Sequence, residues 1–256
     1  MRRGPTVASI ATAVLCAALP LAGCGDGHPA SADLGAQASS LASTVNLRLA
    51  DVPGFAAGRV RARHPRRFGP FYPCVGGSPG QIIGIASPNF DRRHTPREAA
   101  HRSNQRPEAR SGGSGSPPLF PLERVSSAVY LARSSVLAIA DVGPLEGSAV
   151  YSCIEREAAR EAAAQRGEPL LTGVAATRLP APIPGARSFA VRETGRLWIS
   201  APGTTGRSPW HQDTLGFVLG RELVVLETVG DPRPVPPSLE RQLLSLLYSR
   251  ARAHKL

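Results

Sequence analysis

The stretch Asp213-Thr214-Leu215-Gly216-Phe217-Val218-Leu219-Gly220-Arg221-Glu222-Leu223-Val224-Val225-Leu226-Glu227-Thr228-Val229 holds two apolar runs separated by two residues. Gly220-Arg221 is a Gly-X pair, suited to the two-residue type II′ turn whose twist matches that of paired strands. The two runs therefore predict an antiparallel hairpin. Downstream, Pro236 and Pro237 lead into a helix over residues 238–253 with Leu239, Leu243, Leu246 and Leu247 as its buried stripe. Arg250, Arg252, His254 and Lys255 at its end complement the negative pole of the helix dipole.

Working upstream, residues 201–209 read as a Gly/Pro loop, and residues 170–179, 188–193 and 196–200 as strands. Residues 146–166 form the main predicted helix, with Val150, Cys153, Ile154, Ala158 and Ala162 on one stripe and Glu155, Arg156, Arg160 and Glu161 largely off it. A short helix over 134–142 precedes it, and Val125, Ala128, Val129, Tyr130 and Leu131 mark a strand over 122–132. Residues 91–118 are polar and arginine-rich around Gly112-Gly113-Ser114-Gly115, a composition that predicts a disordered loop. Before it, residues 81–90 read as a strand and 55–63 as an extended segment. Residues 41–50 read as a helix that Asp51-Val52-Pro53-Gly54 stops. The expected fold is α+β, one antiparallel sheet with helices packed against it, forming a single domain over residues 41–256.

The amino terminus carries an address. Arg2 and Arg3 precede an apolar run from Val7 to Leu21, which ends in Leu21-Ala22-Gly23-Cys24. That is a lipobox, with small residues admitting a signal peptidase before the cysteine. The run falls short of the roughly twenty residues that span a bilayer. Residues 1–23 are then a signal peptide, Cys24 the acylated first residue of the mature chain, and residues 24–40 a flexible tether reaching roughly 20–25 Å. Two or three acyl chains hold a protein stably on a membrane where one does not. The expected location is the extracytoplasmic face of the cell membrane.

Four cysteines divide accordingly. Cys16 leaves with the signal, Cys24 carries lipid, and Cys74 and Cys153 remain, either as one disulfide of an oxidising compartment or as two separate buried thiols. Net charge is +11, nearly all of it arginine, since Lys255 is the only lysine. With alanine, glycine and proline also abundant, part of that excess reflects a GC-rich genome. The remainder favours anionic headgroups or acidic envelope polymers. Nucleic acid is not an expected partner, because no recognition motif is present. Arg59, Arg61 and Arg63 alternate with Val60 and Ala62, which places all three on one strand face, either a solvated surface or the basic rim of an anion site.

Catalytic signals are few. Gly76-Gly77-Ser78-Pro79-Gly80 fits the G-x-S-x-G pattern of a hydrolase, but the residue after the serine must donate its N–H to the oxyanion, and Pro79 has none. Histidines 28, 64, 94, 101, 211 and 254 show no metal-binding spacing, and no P-loop, dinucleotide or calcium motif occurs. No catalytic, metal or cofactor residue is therefore assigned. Trp198 and Trp210 flank the 201–209 loop and suit either hairpin packing or a ligand groove.

The order of elements carries a resemblance. A lipobox is followed by a helix running into Leu49-Ala50-Asp51-Val52-Pro53-Gly54-Phe55, then Cys74, then a strand with Val125-Ser126-Ser127-Ala128-Val129, then a helix bearing Cys153, then a hairpin and closing helix. This layout resembles actinobacterial envelope lipoproteins with a domain like the extracellular sensor domain of PknH-type kinases. The resemblance implies a PsbP-like α/β sandwich that binds a ligand in a surface cleft. Such domains have two disulfides, whereas this chain has cysteines for one, and no kinase is attached. The function expected is a non-catalytic binding or accessory lipoprotein for an envelope polymer, lipid or protein partner. The alternatives are a lipid or glycolipid carrier and, third, an envelope hydrolase.

Overall fold

In the turn that anchors the fold, Gly220 has a φ of +60° and no residue other than glycine takes a positive φ among the described residues. Only the first central position of the turn is left-handed, which is the type II′ requirement. Leu219 consequently faces Glu222, and the register runs back to His211 opposite Gly230. The computed structural model describes residues 29–58, 71, 73–75, 81–93, 122–164, 171–201 and 204–254. The signal peptide, Cys24, Arg59, Arg61, Arg63, Ser78 and the 94–118 part of the expected loop lie outside the described residues.

Eight strands make one antiparallel sheet: β1 (Ala56–Ala57), β2 (Ile82–Ala86), β3 (Phe90–Arg93), β4 (Leu122–Ala132), β5 (Leu171–Arg178), β6 (Arg187–Ala201), β7 (Thr204–Leu219) and β8 (Glu222–Asp231). Their order is β1-β3-β4-β8-β7-β6-β5, and β2 also pairs with β4. Four helices cover it: α1 (Pro29–Val45), α2 (Ser135–Ala140), α3 (Ala149–Ala164) and α4 (Pro237–Ala253). This is the expected α+β class.

Pleat alternation divides the core in two. Val125, Val129, Leu131, Leu215, Phe217, Val224 and Leu226 pack with Leu34, Ala38, Leu41 and Val45 of α1 and with Leu243, Leu244 and Leu247 of α4. The intervening residues Ala128, Tyr130, Val191, Leu223 and Val225 pack with Ala138 of α2 and Val150 and Ile154 of α3. Tyr130 is fully buried, its ring occupying the space left by Gly84 on β2.

Five expectations need correction. The segment read as tether over 24–40 is helical from Pro29, with Leu34 and Ala38 buried. Leu34, Ala38, Leu41 and Val45 form one continuous 3.6-residue stripe, which the surrounding Ala and Ser disguised. The helix expected to reach residue 50 ends instead at Val45, and Leu49–Asp51 forms a separate 3-10 turn in which the Arg48 N–H donates to Asp51 Oδ2 at 2.7 Å.

The single strand expected over 81–90 is β2 and β3, broken around Pro88, which has no N–H for the ladder. Conversely, the two strands expected over 188–200 are one, β6, running through Gly195. There a Cβ would lie 2.9 Å from Leu171 Cδ1, so glycine admits the neighbouring strand rather than ending its own. The expected 201–209 loop is mostly strand too. Pro209 lies in β7 beyond His211, the last residue paired with β8, where that edge is free.

Candidate functional site

At the β1 edge, Asp51-Val52-Pro53-Gly54 ends the 3-10 turn and sends the chain past Phe55 into β1, where Ala56 pairs with Asp91 and Ala57 with Phe90. Gly58 then donates its N–H to the Asn89 carbonyl at 2.8 Å. These backbones, the Ser87–Asn89 crossover and the side chains of β3 and β4 enclose a groove of about 1470 Å³. Among the described residues its wall is mostly small and polar, with Phe55 the large apolar side chain.

Three arginines supply its charge. Arg92 points to the α1/α4 side, where its Nε donates to Glu123 Oε2 at 2.9 Å, its Nη2 also pairs with that oxygen, and its guanidinium carbon lies 4.6 Å from the Phe55 ring centre. Arg124 lies toward the other face and donates through Nε to Asp91 Oδ1 at 2.7 Å. Each guanidinium is thus oriented by a carboxylate through Nε and Nη2. Arg93 is exposed and makes no ion pair with a described residue. Among the described residues, the groove lining holds three arginines and Asp91, with Glu123 paired to Arg92.

A second polar cluster lies in the core. Arg192 of β6 grips Asp213 of β7 with Nε at 2.7 Å and Nη2 at 2.5 Å. Glu240 of α4, only 3 % exposed, accepts the Thr228 hydroxyl at 2.7 Å and lies beside Asp213. Burial and the facing Asp213 carboxylate push the Glu240 carboxyl up to about 8, against the Thr228 hydrogen bond and the Arg192 charge. Burial and the neighbouring carboxylate thus favour the protonated form of Glu240 between α4 and the sheet. Asp213, Thr228 and Glu240 are buried, while the Arg192 side chain is 26 % exposed.

Of the residues singled out from sequence, Cys74 and Cys153 are joined, with Cα atoms 5.6 Å apart, tying the 71–75 turn to α3. Arg250 does more than meet a helix dipole. Its two Nη groups hold both Asp51 carboxylate oxygens at 2.8 and 2.7 Å, and Nη1 also donates to the Asn46 carbonyl. Trp198 is 39 % exposed on the β6–β7 hairpin, with Arg207 stacked 5.5 Å from its ring, while Trp210 is half-buried. His211 is half-buried on β7 and His254 is exposed after α4. Among the described residues no three ligating side chains gather around one point, and no helix is long and apolar enough to cross a membrane. Sequence reading missed Arg92, Arg93 and Arg124. The signal for Arg92 and Arg93 is their place directly after Phe90, where a strand can continue through charged residues at a sheet edge.

No family model and no curated protein matches the chain. Among solved structures, the extracellular domain of PknH from Mycobacterium tuberculosis aligns over 72 % of this chain and 69 % of its own, at 12 % identity and a TM-score of 0.35. That degree of likeness establishes neither a shared fold nor a shared function.

Proposed function

We propose that this chain is a lipoprotein acylated on Cys24, held at the extracytoplasmic face of the cell membrane, whose domain binds an anionic envelope component without catalysis. The observation that carries the reading is the groove, lined by Arg92, Arg93 and Arg124, of which Arg93 makes no ion pair with a described residue. Arg59, Arg61 and Arg63 follow its wall residue Gly58 directly in the chain, a further supply of cations. The lipobox supports the address, and the Cys74–Cys153 disulfide suits an oxidising compartment. Kinship with PknH-type sensor domains belongs to the same proposal.

The test is calorimetric titration of the acylated protein with glycerol phosphate and, as its uncharged counterpart, glycerol. The expected result is binding of the phosphate ester alone, weakened roughly tenfold by Arg93→Glu through loss of a charge-assisted contact. Equal affinity for glycerol, no affinity for the phosphate ester, or an affinity unmoved by Arg93→Glu overturns the reading.

A further inference from the structure

Three sequence-distant elements meet at the end of the sheet opposite the groove. Gly35 of α1 lies against Ile83, and Gln37 Oε1 accepts Arg221 Nη2 of the β7–β8 turn at 3.0 Å. Ala132 at the end of β4 donates its N–H to the Arg221 carbonyl at 2.9 Å, so the connection into α2 starts beside that turn. The far end of α1 is fixed midway along β4, where Ser127 Oγ bonds Asn46 at 3.0 Å. At 1.5 Å per residue, α1 therefore starts about 12 Å beyond Gln37, past the end of the sheet.

This end is unlike a solvated loop cluster. Val136 is 71 % exposed and Ile139 36 %, both on α2, while Leu137 and Ala138 of the same helix face the core. Arg133, at the head of α2, is exposed. Among the described residues, Asp33 is the acid nearest in sequence to α1's start, and it accepts the Gln37 amide at 3.0 Å. Apolar side chains beside unpaired arginine suit the interface of an anionic bilayer.

Chain length selects that occupant. Because α1 begins at Pro29, only residues 25–28 separate it from Cys24. Whatever their conformation, they cannot carry the helix start further than on the order of 18 Å from the lipid-bearing cysteine. We propose that α2, with Val136 and Ile139, and the neighbouring Arg133 and Arg221 rest on the leaflet that holds Cys24, directing the groove away from the membrane. The inference rests on acylation of Cys24.

The experiment uses the acylated full-length mature protein on vesicles of phosphatidylcholine and phosphatidylglycerol, with Val136→Trp as reporter and acyl chains brominated near the headgroup as quencher. Trp198 and Trp210 lie toward the other end of the sheet and serve as internal references. The expected result is loss of the added emission with the native emission unchanged, repeated by Ile139→Trp. An acyl mass on Cys24 with no quenching at either position, or with the native tryptophans quenched equally, overturns the orientation and leaves the anchor standing. Absence of an acyl mass on Cys24 overturns the anchor and the orientation together.

Discussion

The two faces of the sheet are fastened by different means. On the α1/α4 side, polar groups pin the helices at fixed points: Asn46 bridges Ser127 and the Ile85 carbonyl, Arg250 clamps Asp51, and Glu240 sits in the Thr228–Asp213–Arg192 cluster. On the α2/α3 side the packing is mostly apolar, with polar links from Glu155 to the Ala176 N–H and from Glu146 to Arg187, and one covalent bond, Cys74–Cys153. Buried polar contacts are costly when broken but define register. A disulfide acts chiefly on the unfolded chain, by shrinking the freedom of the loop it closes. The α1/α4 face should therefore set which structure forms, and the α2/α3 face should depend on redox state.

The largest expected effect follows from cutting the covalent bond. Cys153→Ala, or reduction, removes a link across 79 residues and should lower stability by about 4–5 kcal/mol in the chain-entropy model. Denaturant midpoints with and without reductant measure it. Hydrogen exchange should rise first in α3, and an equal rise in α4 would show that the two faces unfold as one.

Next, Arg192→Met leaves Asp213 buried without its cation beside Glu240, at a cost of about 3 kcal/mol in urea unfolding. A loss near zero would mean that the cluster does not hold α4.

A smaller effect is read from pH. The Glu240 carboxyl is raised from 4.5 to about 8, so the unfolded chain loses its proton first and stability falls as pH climbs between those values. Burial raises Asp141 from 3.8 to about 6, which adds a decline of the same sign in that lower window on the α2 side. Glu240→Gln should flatten the upper window and Asp141→Asn the lower, as followed by Tm against pH. If Glu240→Gln leaves the profile between pH 6 and 8 unchanged, the proton is not where the cluster geometry puts it.

Smallest is Arg250→Met, which loosens α4 from the Asp51 turn by about 1 kcal/mol because both partners are partly solvated. A double-mutant cycle with Asp51→Asn measures the pair itself.

How legible these regions were in the sequence differs for physical reasons. The hairpin at Gly220-Arg221, the strand Leu122–Ala132 and the closing helix each carry their signal within their own residues, as a turn pair, a β-rich run and a leucine stripe. The start of α1 does not, because Ala38 contributes to a stripe only once a sheet lies beneath it. Nothing in the local sequence sets Glu240 apart. Its partners Arg192, Asp213 and Thr228 come from three strands whose adjacency is decided by the sheet order, which no local pattern encodes. The groove was hidden for a related reason, since Arg124 and Asp91 are 33 residues apart and meet only through the β3–β4 register.

The most direct test of the account is native mass spectrometry of the acylated protein released gently from its own envelope, followed by denaturing analysis of the same sample. The account predicts an acidic, non-covalent adduct that is retained in the native spectrum, lost on denaturation and missing from Arg93→Glu. A wild-type spectrum carrying covalent acyl chains alone, or an adduct that is a neutral lipid, would contradict it.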